Sequence, residues 1–120
     1  MTRSKVVVIV DDEPGACEVL KDILEHEGYT VVTASDGLQA LDLLRRLPAK
    51  PCAVILDLIM PMLDGVGVYR AMQADPELSK IAVVITTSDP ARAPSGPVTL
   101  KKPIRLPTLL GIVRQCVAAS

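Results

Sequence analysis

The stretch "VVVIVDDEP", residues 6–14, raises the questions of fold and function together. Its five consecutive β-branched residues, Val6 to Val10, favour an extended strand buried on both faces. That strand runs straight into Asp11, Asp12 and Glu13. Like charges side by side repel, so the acids either stand in water at a helix start, where the helix dipole favours them, or hold a cation.

The same alternation continues along the chain. Apolar runs recur at "YTVVTA" (29–34), "CAVILDL" (52–58), "IAVVIT" (81–86) and, more weakly, "PVTL" (97–100). Amphipathic stretches lie between them. Over 14–27, Ala16, Val19, Leu20, Ile23 and Leu24 share a helical face, and Gly28 takes the C-cap position. Ala40, Leu43, Leu44 and Leu47 repeat that spacing over 38–47, and Pro48 closes the helix. Val68, Tyr69 and Met72 form a shorter face over 65–74. Leu106, Leu109, Leu110, Val113 and Val117 form the stripe of a last helix, with Pro107 in its first turn. Near-continuous apolar strands alternating with helices predict an α/β fold, a doubly wound parallel sheet with helices on both faces. One segment breaks the pattern. In "SDPARAPSGP" (88–97), Pro94 drives Ala93 out of the helical region, so a Pro-rich loop or single turn replaces the helix expected there.

Length and composition narrow the class. The 120 residues fit one domain, 1–120, with an aliphatic core, since Phe and Trp are absent and Tyr occurs twice. A formal net charge of −1 and no run of Lys or Arg predict no nucleic-acid partner. No apolar stretch is long enough for a membrane span, and "MTRSK" leads into a strand without a signal-peptide core. Cys17, Cys52 and Cys116 are odd in number and lack CxxC spacing, which reads as reduced thiols in a soluble cytoplasmic domain.

In a parallel α/β sheet the carboxyl ends of the strands share one edge, where ligands bind. Past the first strand stand Asp11, Asp12 and Glu13; the third ends at Asp57; the fourth ends at Thr86, Thr87 and Ser88; the fifth leads to Lys101 and Lys102. Each alone has an ordinary structural explanation, a solvated turn or an exposed lysine. Asp57 is the exception, because an acid closing an apolar strand carries a desolvation cost unless something pairs it. Together the set describes carboxylates around a hard cation with positions left for a phosphate, the manner in which Mg²⁺ binds.

The order and context of these residues resemble the receiver domain of two-component response regulators. The matching stretches are "VVVIVDDEP", "VILDLIMPMLDG" with its D-x-x-M-P-x-x-D-G spacing, "VVITTS" and "KKPI", and the resemblance covers essentially the whole chain. It implies a flavodoxin-like five-stranded sheet in the order 2-1-3-4-5. It also implies that Asp57 is the phosphoacceptor, taking its phosphoryl group from a histidine kinase. Asp12 would bind Mg²⁺ directly, with Asp57 and the backbone carbonyl of Ile59, and Asp11 would act through a bound water. Lys102, preferred over Lys101 because it precedes Pro103, would contact a phosphoryl oxygen, with a cis Lys102–Pro103 bond. Thr87, with Thr86 as the neighbouring alternative, would hydrogen-bond the phosphoryl group, and Ser88 is suitably small beside its path. Glu13 is a solvated helix-start acid and His26 a surface residue. Met60 and Pro61 shape the loop after Asp57, Asp64–Gly65 form a turn, and Met62 and Met72 serve packing.

Two features depart from the family pattern. The fifth-strand position that usually carries an aromatic residue is Thr99, and the helix between the fourth and fifth strands is lost or reduced to a turn. The chemistry stays intact while the readout changes, with the loop at 88–97 as an element that phosphorylation orders. The expected function is a stand-alone, phosphorylation-dependent switch with no effector domain of its own. It is no enzyme beyond its own phosphoryl transfer and slow autodephosphorylation, and it acts through docking or phosphorelay. Its expected partners are a histidine kinase or histidine phosphotransfer protein and a downstream protein, with neither nucleic acid nor membrane, and it is expected to be a monomer. A phosphorylation-independent binding module on the same fold is the alternative. A small Asp-nucleophile phosphatase needs a second acid two residues on, where this chain has Ile59.

Overall fold

The computed structural model describes residues 5–119, so the expectation about the segment 1–4 lies outside the described residues. Its strands are β1 (Val6–Val10), β2 (Thr30–Ala34), β3 (Ala53–Asp57), β4 (Ala82–Thr87) and β5 (Val98–Lys101). Its helices are α1 (Pro14–His26), α2 (Gly37–Arg46), α3 (Gly65–Ala74) and α4 (Leu106–Ala119), with single 3₁₀ turns at Leu78–Lys80 and Pro90–Arg92. All strands are parallel, in the order β2-β1-β3-β4-β5. That is the order the resemblance implied.

The two central strands explain why the sheet forms. Val7, Val8, Ile9 and Val10 of β1 and Ala53, Val54, Ile55 and Leu56 of β3 are buried on both faces. Each large apolar side chain so buried contributes about 1.5–3 kcal/mol. Successive residues point to opposite sides. Val8, Val10, Val54, Leu56 and Ile85 pack with α2 and α3, while Val7, Ile9, Ala53, Ile55 and Val84 pack with α1 and α4.

Caps set the ends of the helices. Asp36 accepts from the Gln39 amide at the start of α2, and Asp64 accepts from the Gly67 amide at the start of α3. At the end of α1, Gly28 adopts φ +95° and donates to Glu25, while Tyr29 donates to Leu24, closing the helix in a Schellman arrangement. Leu47 is already extended ahead of Pro48.

The segment 88–97 carries one turn, Pro90–Arg92, and Ala93 leaves it at φ −73°, ψ 145°, the extended geometry forced by Pro94. Two side-chain expectations need correction. The inward face of α1 is formed by Cys17, Leu20 and Leu24, whereas Ala16 and Val19 face outward, Val19 at 60% exposure. The apolar stripe is wider than the strip that meets the sheet, and its outer flank lines a groove beside α4. Met72 is fully buried as expected, but Met62 is 77% exposed, because it sits at φ +69° in the loop after β3 and points away from the core.

Candidate functional site

Asp57 ends β3 paired with Thr86 of β4, and its side chain is only 8% exposed. Burial pushes its carboxyl above the usual carboxylate value. The Lys102 ammonium draws it back, Asp11 raises it further, and hydrogen bonds from Lys102 and the Ile59 amide lower it. Lys102 Nζ stands 3.4 Å from Asp57 Oδ1 and 3.9 Å from Asp11 Oδ2, while Lys101 is exposed. The Lys102–Pro103 bond is cis, and the Lys102 amide donates to the Thr87 carbonyl at 2.8 Å, which places the lysine against the end of β4.

The acids after β1 come to the same place. Asp11, Asp12 and Asp57 each offer a carboxylate oxygen, and these lie within 4.8 Å of one another. Asp11 is held by its other contact, accepting from the Glu13 amide at 2.9 Å. Three converging carboxylates are a hard, oxygen-only donor set, which fits Mg²⁺. Glu13 is exposed at the N-cap of α1, and His26 is exposed in its last turn.

Thr86 and Thr87 are both buried at the end of β4. Thr86 lines the groove on the α1 side, whereas the Thr87 hydroxyl accepts from the Asp89 amide at 3.0 Å. Ser88 is exposed beside them, and Thr99 on β5 pairs with Ile85. An apolar groove of about 430 Å³ opens next to Lys102, walled by Ala16, Val19, Pro103, Ile104 and Leu106.

Residues that sequence reasoning missed shape the site through the backbone. Gly65 was legible only as part of a turn. In the fold, a Cβ there would stand 2.5 Å from the Asp57 carbonyl oxygen and 2.7 Å from Leu58 Cα. Its amide donates to the Leu58 carbonyl at 2.8 Å, so the start of α3 sits directly against the end of β3. The D-G pair at 64–65 was the available signal, but close approach is a tertiary property that a turn motif does not reveal. The amides of Ile59 and Asp89, which hold Asp57 and Thr87, leave no signature in side-chain identity.

A five-stranded doubly wound sheet thus gathers three carboxylates and a lysine at its carboxyl edge. Residues 7–96 match the response regulator receiver domain family, and the chain belongs to that family. It is 42% identical over 87 residues to a probable transcriptional regulator, ycf27, of Guillardia theta, covering 72% of this chain and 32% of that protein. It is 36% identical over 87 residues to the DNA-binding response regulator MtrA of Mycolicibacterium smegmatis, covering 72% and 36%. The chain thus spans about a third of the length of these curated relatives. Among solved structures, the signal receiver domain of a histidine kinase from Syntrophus aciditrophicus superposes with a TM-score of 0.86 at 29% identity, covering 95% of this chain and 90% of that one.

Membership makes this a domain of phosphorylation-dependent two-component signalling, a signalling module and not a classical enzyme. Receiver domains generally bind Mg²⁺ at an acidic pocket, and the aspartate cluster here has that character. No helix among the described residues is long and apolar enough to cross a membrane. The expectation of no nucleic-acid partner is corrected, because relatives matched by this domain include a DNA-binding response regulator, MtrA. The lack of a basic run describes this domain's own surface. It says nothing about what the remaining two-thirds of such relatives contact.

Proposed function

We propose that residues 1–120 work as one receiver domain in which Asp57 accepts a phosphoryl group from a phosphohistidine, on a histidine kinase or a histidine phosphotransfer protein. The observation that carries this is the meeting of Asp11, Asp12, Asp57 and Lys102 at one sheet edge, from three points far apart in sequence. The Asp57 carboxylate oxygen attacks phosphorus and forms the new O–P bond. The P–N bond breaks and its electron pair returns to that imidazole nitrogen as a lone pair, while the ring proton stays on the other nitrogen.

Asp12, Asp57 and the Ile59 carbonyl would hold Mg²⁺ directly, with Asp11 acting through water. Bound there, the ion neutralises charge on the transferring oxygens. Lys102, already 3.4 Å from Asp57, moves onto a phosphoryl oxygen and replaces its ion pair with a stronger one. Thr87 donates its hydroxyl to another phosphoryl oxygen, and the small Ser88 leaves the path to Asp57 open. Ile59 is half exposed and has no polar side-chain group to orient an attacking water, which supports slow autodephosphorylation. The apolar groove beside Lys102 fits the apolar face of a phosphodonor helix.

Output runs by docking on another protein or by relay of the phosphoryl group. The DNA-binding name of the MtrA relative supports control of a DNA-bound partner as one such output. A cytoplasmic site of action belongs to the same proposal, in keeping with three unpaired cysteines.

The test is transfer from a phosphohistidine protein carrying a labelled phosphoryl group. The expected result is label on this chain that hydroxylamine releases, as it does from an acyl phosphate, and that Asp57→Asn does not acquire. Label that survives hydroxylamine, or that appears on Asp57→Asn, would overturn the assignment.

A further inference from the structure

The segment 88–97 is tied down at three places. The Asp89 amide donates to Thr87 Oγ1 at 3.0 Å. Ala93, at the end of the single turn, packs on the core shared by α2 and α3. Gly96, at φ +115°, lies so close to α3 that a Cβ there would stand 3.0 Å from the Tyr69 hydroxyl. Tyr69 itself is partly buried against the same core, and a groove of about 350 Å³ runs between it, Ile81, Val83 and Pro97.

The inventory of this segment is unusual in two ways. Pro90, Pro94 and Pro97 restrict its backbone, so a displacement at Asp89 is carried along the segment instead of being absorbed. Its internal hydrogen bonds are few, the Arg92 and Ala93 amides closing one turn on Asp89 and Pro90. Such a segment has few contacts to lose and belongs to the low-stability end of a fold. Glycine at 96 combines a positive φ that side chains rarely adopt with a close approach to the Tyr69 hydroxyl.

We propose that Tyr69 and Gly96 form a latch that holds the 88–97 segment against α3, and that phosphorylation of Asp57 opens it by turning the Thr87 hydroxyl away from the Asp89 amide. The inference rests on the role given to Thr87 above. Thr87 is buried at the end of β4 with its Oγ1 engaged by the Asp89 N–H, and in this proposal Oγ1 turns about χ1 toward the phosphoryl group and leaves that N–H. The turn then loses its anchor, and the strap lifts from Tyr69, the reverse of the ordering expected from the sequence, because the segment is already held down here. The change reaches the α3 side of the sheet, away from β5 and α4. Tyr69 is a positioning residue here and takes no part in the phosphoryl chemistry.

The chain offers a clean probe, since Tyr29 and Tyr69 are its only aromatic residues. Tyr29 packs on the opposite face of the sheet, with the α1–α4 core. In Tyr29→Phe, Tyr69 is the sole emitter. Acrylamide quenching of that emission is measured with Mg²⁺ and acetyl phosphate, and the phosphorylated fraction is read by intact mass on the same sample. The latch predicts a quenching constant about twofold higher in the phosphorylated fraction, as a partly buried ring becomes exposed. Gly96→Ala in that background shows the higher value before phosphorylation. Thr87→Ala also starts high and rises no further at equal phosphorylated fraction. Faster amide exchange over 88–98 on phosphorylation gives a second readout in the Tyr29→Phe protein itself. An adduct with unchanged quenching and exchange would overturn the latch and leave the phosphoacceptor role standing. A further rise in Thr87→Ala would overturn the route through Thr87. Absence of any adduct would overturn both the latch and the function beneath it.

Discussion

Asp57 holds its charge in a place where burial works against it, and its neighbours divide into those that relieve this and those that aggravate it. Lys102 and the Ile59 amide relieve it; Asp11 aggravates it. The net shift is upward, so the folded protein holds the Asp57 proton more tightly than the unfolded chain does. The stability this gives is complete below the ordinary carboxylate value and is lost as pH rises through the higher folded value. At neutral pH the ionised group is therefore a net cost, and Asp57→Asn should stabilise the metal-free protein. Thermal melts should show that advantage at neutral pH and its disappearance below about pH 4. A less stable Asn variant at neutral pH would contradict the balance described. Met62 is the other residue under strain. Met62→Gly removes the penalty of a left-handed side-chain residue and should raise stability by up to about 1 kcal/mol, seen as a higher denaturant midpoint. Asp57 was legible as an acid ending an apolar strand, because desolvation can be read from pattern alone. The conformation of Met62 was not, since an unbranched apolar residue carries no local mark of positive φ.

At the scale of elements, the two acid-capped helices separate stability from function. Asp36 caps α2 and Asp64 caps α3 through equivalent bonds of 2.8 and 2.9 Å. Replacing either with Ala should cost about 1 kcal/mol by denaturant unfolding. Only Asp64→Ala should also slow adduct formation at Asp57, because Gly65, the next residue, abuts the Asp57 carbonyl. Equal phosphorylation rates in the two variants would remove that link between α3 and the site. The strands and helices were legible because Val, Ile and Leu fell at periods of two and 3.6, and because Gly28, Pro48 and Pro94 stop what precedes them. The facing of α1 was less legible. Its apolar residues span more than the strip that meets the sheet, and only the packed α4 decides which flank stays open. The short 88–97 segment was readable because proline excludes a helix by steric rules that need no tertiary context.

For the whole molecule, the parallel sheet matters because it gathers the ends of β1, β3, β4 and β5 at one edge and brings three aspartates within reach of a single cation. Mg²⁺ should stabilise the native chain by about 2.7 kcal/mol at a hundredfold excess over its dissociation constant. Asp12→Asn should lose most of that gain in thermal melts, and undiminished stabilisation would place the ion elsewhere. The convergence was legible in the sequence because strand ends share an edge by topology. What reads the signal was less so. A count of Lys and Arg describes one domain's surface, and the curated relatives are about three times longer than the part they share. The account stands most directly on the nucleophile. Intact mass after incubation with Mg²⁺ and acetyl phosphate should show one added phosphoryl group on the native chain, with none on Asp57→Asn or after the metal is chelated. An unmodified native chain that also takes nothing from a phosphohistidine protein, or an adduct that persists on Asp57→Asn, would contradict it.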